Sequence, residues 1–388
     1  MLEGAETAGL NFSGSESDGK WLADFKNQVL FELYVAYLEA RRGGKRGTFD
    51  EHKFEIQEME NLVNLRDSLL NRTYRPSRGT AHIIYNPVIR EIFAASFRDR
   101  VIHHWIYDII YDWWDRRFIM DSYSCRERKG TKFGIERLAH HIQAVSENYK
   151  YKVYVVKLDI QGYFMSLPRR RLYERVVWGL DQQFKGNYGA KYELVKFCLA
   201  QTIFDDPCRD VRRKGWPKDW KHLPPTKSLF TQPEGVGMVI GNLTSQLLSN
   251  IYLDQLDRFM TLDLGWKHYG RYVDDFYFVV REEDLERAKL DILKIEKYLK
   301  ELGLVLHPRK RVIQLADRGV PFLGAVVYPG RIIPGRRVWR NAEAAFLEVV
   351  AGARDPESVV SYLGHMKYFK SAVAIEEAFS KAGWEYML

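Results

Sequence analysis

His268-Tyr-Gly-Arg-Tyr-Val-Asp-Asp-Phe-Tyr-Phe-Val-Val280 is the stretch on which the reading of this chain turns. Two adjacent acids, Asp274 and Asp275, interrupt a run of β-branched and aromatic residues. Tyr269, Tyr272, Val273, Phe276, Phe278 and Val280 favour strands and aspartate is depleted in them, so the pair is expected at the tip of a β-hairpin, with both carboxylates presented in one direction. Taken alone, an Asp-Asp pair reads most simply as a solvated turn. A chemical role needs partners elsewhere in the chain.

The first partner closes Tyr151-Lys-Val-Tyr-Val-Val-Lys-Leu-Asp-Ile160, a stretch that reads as a buried strand ending on a carboxylate, Asp159. An acid in that place is costly to bury unless it is paired or binds a cation. Asp159, Asp274 and Asp275 are therefore expected to converge on two hard divalent cations. Magnesium prefers carboxylate and phosphate oxygens, and a pair of such ions serves an in-line phosphoryl displacement. The spacing leaves a polymerase and a nuclease both open.

Length and composition bound the rest. A chain of 388 residues suggests two or three subdomains around a shared site. With 46% hydrophobic and 14% aromatic residues it is globular rather than disordered. The net charge of +8 fits an anionic partner, nucleic acid first. Cys125, Cys198 and Cys208 have no close pair spacing, which indicates neither a zinc site nor a disulfide framework and fits a reducing cytoplasm. The N-terminus does not read as a signal peptide, and no apolar run is long enough for a membrane span.

In chain order, residues 1–20 read as a flexible tail, and the stretch from Lys20 to Leu70 as two helices around a basic loop at Arg41–Arg46. Tyr74 to Val88 reads as a strand or hairpin. Arg90, Arg98 and Arg100 supply guanidiniums suited to bidentate phosphate binding. His103-His104 and His140-His141, adjacent and so not on one helix face, read as core or surface groups. Ser124 to Thr131 is a basic turn before a helix. The segment at about 180–232 reads as an irregular insertion whose tryptophans and basic residues either grip a polynucleotide or pack structurally. Gly235 to Gln246 opens a further helix, with Asn242 as N-cap and glycines that let a ligand approach the backbone. An amphipathic helix at 284–302, short strands near Ile313, Phe322–Tyr328 and Arg331–Ile333, and a helical 340–388 complete the chain.

Tyr272-Val-Asp-Asp275 resembles the Tyr-x-Asp-Asp motif of reverse transcriptases. Asp159 with Phe164 five residues on resembles the family's first catalytic motif, and Arg90 ahead of Asp99-Arg100 resembles its fingers arginine. Gly303-Leu-Val-Leu-His-Pro-Arg-Lys310 and Phe322-Leu-Gly324 resemble the later palm motif and primer grip, so the order of motifs agrees over roughly residues 70 to 335. The resemblance implies an α+β right-hand polymerase. Its N-terminal helices and fingers would occupy 21–150, the palm with an antiparallel sheet 151–335, and a helical thumb 336–388.

The implied activity is RNA-directed DNA synthesis by two-metal nucleotidyl transfer. Asp159, Asp274 and Asp275 would be catalytic, and with Ile160 would hold two Mg2+ ions, Mn2+ being a substitute. Arg90, Phe164, Ile240, Gly241, Gln246 and Lys310 would bind the nucleotide, Phe164 as a steric gate against ribose and Lys310 as proton donor to pyrophosphate. Template RNA, nascent DNA and dNTPs are the implied partners, with a cognate non-coding RNA and an accessory protein or second polymerase. Where many members carry Gln-Gly-x-x-x-Ser-Pro, this chain has Ile240-Gly-Asn-Leu-Thr-Ser-Gln246. That form resembles the diversity-generating retroelement enzymes and related bacterial reverse transcriptases of antiphage defence. Gly162, Val88 and the long insertion tilt the expectation toward defence, with error-prone diversification as the alternative. A catalytically silent RNA-binding scaffold is the rival of another class. The end of the chain at Leu388 leads to the expectation that template RNA is removed by another protein.

Overall fold

The alternation around the two aspartates folds as a hairpin in the computed structural model, which describes residues 16–42, 46–85 and 88–355. The N-terminal half runs α1 (Glu16–Ala40), α2 (Phe49–Glu55), α3 (Glu58–Leu70), β1 (Gly79–Ile84), β2 (Arg90–Ala94), α4 (Phe97–Asp115) and α5 (Thr131–Val145). The middle runs β3 (Val153–Asp159), α6 (Tyr163–Ser166), α7 (Arg169–Phe184), α8 (Ala190–Phe204), β4 (Val211–Arg213), α9 (Pro217–Lys221) and α10 (Leu243–Arg258). Then follow β5 (Tyr269–Tyr272), β6 (Asp275–Arg281), α11 (Leu285–Glu301), β7 (Val312–Leu315), β8 (Val320–Phe322), β9 (Ala325–Tyr328), β10 (Arg331–Pro334) and α12 (Arg336–Val350). The fold class is α+β, with helices and antiparallel sheets as expected. None of these helices is long and apolar enough to cross a membrane.

Three local expectations change. Helix α1 starts at Glu16, inside the expected tail, while residues 1–15 lie outside the described residues. The stretch to Leu70 holds three helices, not two, because α2 forms after Thr48 with Asp50 and Glu51 in its first turn, where acids suit the helix dipole. Arg41, from the basic loop, pairs with Glu51 at 2.9 Å and with Glu55. The supposedly irregular 180–232 contains α8, which buries Tyr192, Leu194, Val195, Cys198 and Leu199. Apolar residues fall on so many faces of α8 that no helical stripe shows in the sequence. Residues 356–388, most of the expected thumb, lie outside the described residues.

The chain forms two units, each built from two segments: Met1–Phe118 with Gly162–Gln255, and Ile119–Gln161 with Leu256–Leu388. The first contains a three-stranded sheet ordered β2-β1-β4, with β1 antiparallel to β2 and parallel to β4. The second contains a four-stranded antiparallel sheet ordered β5-β6-β3-β7 and a smaller sheet β10-β9-β8. Its core packs Val155 of β3 and Tyr277 and Val279 of β6 with Leu138 and Ile142 of α5, Val327 of β9 and Ala345 of α12.

The opposite face of the sheet, on which Arg271 pairs across from Phe276, buries a polar element. Arg271 of β5 and Asp257, both at 0% exposure, form a two-pronged ion pair at 2.7 and 2.6 Å. Tyr269 also donates to Asp257, at 2.7 Å. Removing one partner of a buried pair strands the other charge, at a cost of about 3–5 kcal/mol. Arg271→Met is expected to lower unfolding free energy by about that amount, and Arg271→Met/Asp257→Leu by clearly less, in urea titrations. Equal losses in the two variants would mean that no charge is stranded by removing one partner.

Candidate active site

Strand β3 pairs with β6 in a register that sets Asp159 directly opposite Asp275. Directly opposed residues of an antiparallel pair project from the same face of the sheet. Tyr272 pairs with Asp275 across the β5–β6 hairpin, so Val273 and Asp274 form its two-residue turn. Val273 has φ +57°, a left-handed backbone that costs a β-branched residue energy. Two hydrogen bonds hold the turn: the Arg271 guanidinium donates to the Val273 carbonyl at 3.1 Å, and the Ile160 N–H to the Asp274 carbonyl at 3.2 Å. Asp159 is fixed in turn by the His307 N–H, which donates to its carbonyl at 2.8 Å. The sequence thus brings three carboxylates to one end of the sheet.

Their charges are not balanced internally. Lys310 Nζ sits 2.8 Å from Asp159 Oδ2, and Lys157 Nζ 3.9 Å from Asp275 Oδ2. Lys157 also donates to the Pro321 carbonyl at 2.6 Å. Burial, then the neighbouring charges of Asp159 and Asp275, push the Asp274 carboxyl up to about 6. Burial raises that of Asp275 too, with Lys157 opposing and Asp159 reinforcing. Among the described residues no group of three or more His, Cys, Asp or Glu side chains is placed to hold a metal ion. Magnesium does not require one, since it binds through one or two carboxylates plus substrate phosphates and keeps several waters. Oxygen donors that hold a proton too tightly for want of positive charge fit such an ion; Ile160 offers only its carbonyl oxygen.

Asp159, Asp274, Asp275 and Lys310 all belong to one unit; Arg90, Phe164, Ile240, Gly241 and Gln246 belong to the other. Within the latter, β2 is the organising strand. Arg90 opens it and is exposed. The Phe93 N–H donates to the Ile240 carbonyl at 2.8 Å, and a Cβ on Gly241, at φ +129°, would lie 2.2 Å from the Phe93 carbonyl oxygen. Phe164 and Ile240 both pack against the cluster of Ala81, Phe93, Met165 and Leu229. Asn242 accepts from the Ala95 N–H at 3.3 Å, and Gln246 is exposed in the first turn of α10. Arg98 pairs at 3.0 Å with Asp99, a buried acid that also accepts from the Tyr74 and Ser77 hydroxyls.

Sequence reasoning missed Lys157, Arg271 and Asp257. Lys157 breaks the apolar run Val-Tyr-Val-Val-Lys-Leu and Arg271 sits two residues before the turn, so a charged residue inside a strand pattern was the available signal. Asp257 gave none, being an ordinary acid on a helix. The histidine pairs contribute interior hydrogen bonds: His103 meets Thr244 at 2.8 Å and is pushed down to about 4 by burial, and His141 meets Tyr277 at 3.1 Å. In the basic turn, Arg126 donates to the Ile119 carbonyl at 2.7 Å and Lys129 to that of Met120.

Residues 87–327 match the family model described as reverse transcriptase (RNA-dependent DNA polymerase). None of the curated proteins matches the chain. Among solved structures, the telomerase of Candida albicans, in complex with a fragment of telomeric RNA, is similar at 13% identity and a TM-score of 0.48, over 68% of this chain and 47% of that one. The telomerase of Candida tropicalis, also in complex with such a fragment, is similar at 12% identity and a TM-score of 0.46, over 79% of this chain and 55% of that one. The chain thus spans about half the length of the solved structures it matches.

The raised Asp274 carboxyl gives a stability signature. Its folded value of about 6 lies above the ordinary 3.8, so the folded protein binds the proton more tightly than the unfolded chain. Stability from this group is complete below about pH 4 and is lost as pH rises through about 6. Asp274→Asn removes the charge, so in EDTA the variant should gain on the wild type across that window, reaching on the order of 1–3 kcal/mol above it. Urea titrations at pH 4, 5, 6 and 7.5 measure the gap; a gap that does not change with pH contradicts the assignment.

Proposed function

Since the chain belongs to the reverse transcriptase (RNA-dependent DNA polymerase) family, we propose that it extends a DNA strand on an RNA template by nucleotidyl transfer from dNTPs. The observation that carries this reading is the juxtaposition of Asp159 and Asp275 on one rung, beside the strained turn that bears Asp274. Asp159, Asp274 and Asp275, with the Ile160 carbonyl, are the residues to hold Mg2+, or Mn2+ in its place. Two such ions supply Lewis-acid activation of the attacking hydroxyl and neutralise charge on the leaving pyrophosphate. Lys310, free to exchange its Asp159 contact for a phosphate, donates a proton to the pyrophosphate oxygen. Arg90 clamps the triphosphate, and Ile240, Gly241 and Gln246 line the nascent base pair. Phe164 excludes the ribose 2′-hydroxyl. In this reading residues 21–150 form the N-terminal helices and fingers, 151–335 the palm and 336–388 the thumb, of which 356–388 lie outside the described residues.

The biological setting we propose is a bacterial antiphage system in the cytoplasm, with a cognate non-coding RNA and an accessory protein or second polymerase. The form of the Ile240–Gln246 loop also supports a second reading, error-prone copying opposite adenine in a diversity-generating retroelement. The rival scaffold is expected to bind RNA without extending a primer, and a nuclease to shorten labelled strands.

Primer extension on an RNA template with magnesium tests the main reading. Asp274→Asn and Asp275→Asn should each lower incorporation by about two to three orders of magnitude, as expected when charge stabilisation in the transition state is lost, with RNA binding kept. Extension that survives both substitutions rules the site out. Phe164→Ala should raise use of ribonucleotides relative to deoxynucleotides by about tenfold or more, since the steric term is removed; an unchanged ratio removes Phe164 from the gate.

A further inference from the structure

We infer that the segment from β4 to α9, together with the end of β1, is a stacking platform for single-stranded RNA. All of it lies within the unit that contains β1 and β2. Trp216 keeps 71% of its surface exposed and Tyr85 51%, although tryptophan is on average among the well-buried side chains. One carboxylate ties the two residues together: the Tyr85 hydroxyl donates to Asp219 Oδ1 at 2.7 Å, and the Trp216 backbone N–H to Asp219 Oδ2 at 2.7 Å. Between Arg209 and His222 the chain has six Lys and Arg residues against two aspartates. Arg212, Arg213, Lys214, Lys218 and Lys221 are all exposed, and Lys218 Nζ stands 5.9 Å from the Trp216 ring centroid.

The support beneath the rings is fixed. Strand β4 runs parallel to β1 from Gly79–Val211 to Ala81–Arg213, and the Lys214 N–H donates to the Ala81 carbonyl at 2.8 Å. Trp220 donates its Nε1–H at 2.9 Å to Glu91, a fully buried carboxylate that also accepts from the Leu229 N–H at 2.8 Å and from Ser228. Trp220 is thus the structural anchor, and Trp216, four residues earlier, is held out in water. A ring presented on a fixed backbone loses less entropy on binding than one on a mobile loop.

Exposed aromatic faces within a cationic rim select single strands, because the faces of paired bases are already stacked within a duplex. The identification of the occupant as template RNA rests on the polymerase reading above; the stacking site itself does not. A labelled single-stranded RNA, in buffer without dNTPs or magnesium, reports binding by fluorescence anisotropy. Trp216→Ala should weaken it by at least about fivefold, the lower end of what one stacked base contributes, and Trp216→Phe by much less. Lys214→Ala/Lys218→Ala/Lys221→Ala should flatten the dependence of log affinity on log salt by about 2, at roughly 0.7 per phosphate contact for single strands. All these side chains are exposed, so thermal melts should match the wild type. Unchanged affinity in Trp216→Ala, or an equal loss for blunt duplex RNA, overturns the platform. A wild-type protein that incorporates no nucleotide, yet loses RNA affinity with Trp216, defeats the polymerase reading and leaves the platform standing.

Discussion

The antiparallel register of β3 on β6 is the constraint on which the candidate chemistry depends. A slip of one residue would carry Asp275 to the opposite face of the sheet and away from Asp159. Apolar alternation cannot prevent that slip, because both faces of these strands are buried: Val155, Tyr277 and Val279 on one, Val156, Leu158, Phe276 and Phe278 on the other. Polar groups supply the missing specification. The Tyr277 hydroxyl meets Tyr123 at 2.9 Å and His141 at 3.1 Å, contacts that only one register satisfies. Gly270 lies across from Tyr277 for the same reason, since a Cβ there would stand 2.2 Å from the Tyr123 hydroxyl. The Arg271–Asp257 pair then fixes the neighbouring strand, so buried polarity here serves register as well as stability.

Much of this was legible in the sequence, for identifiable physical reasons. The hairpin, the buried strand ending on Asp159, the helix at 285–301 and the strands after Val312 each carry a clean period or a clear breaker. The cost of burying an unpaired acid at a strand end made Asp159 a candidate partner for Asp274 and Asp275, and the resemblance to the family's motifs joined the three. What escaped were features with no local signature. Helix α8 is apolar on too many faces to show a stripe, and strand β4 is three residues long, created by its partner β1 rather than by its own propensity. The roles of Lys157, Arg271 and Asp257 come from tertiary neighbours far off in sequence. Left-handed Val273 runs against the local preference of a β-branched residue.

In the other unit, β2 links features that look unrelated along the chain. One edge of it receives the Ile240–Gly241 turn, with the Gly241 backbone against the Phe93 carbonyl closer than any side chain would permit. Glu91 of the same strand holds Trp220, Ser228 and Leu229. A five-residue strand therefore couples the loop proposed to line the base pair to the segment proposed to hold RNA. Its first residue is Arg90.

The division of the chain into interleaved segments bears on how the protein is made. Strand β3 leaves the ribosome more than a hundred residues before β6, and further still before β7, its two neighbours in the sheet. At about 5–20 residues per second, the nascent strand Val-Tyr-Val-Val-Lys-Leu-Asp waits on the order of 5–25 seconds with both edges unpaired. Such a segment is prone to pair with another copy of itself. Lys150 and Lys152 precede it and Lys157 interrupts it, placing like charges where two nascent copies would meet. The lysine that stands beside Asp275 in the finished sheet is thus also the charge that interrupts the strand before the sheet exists.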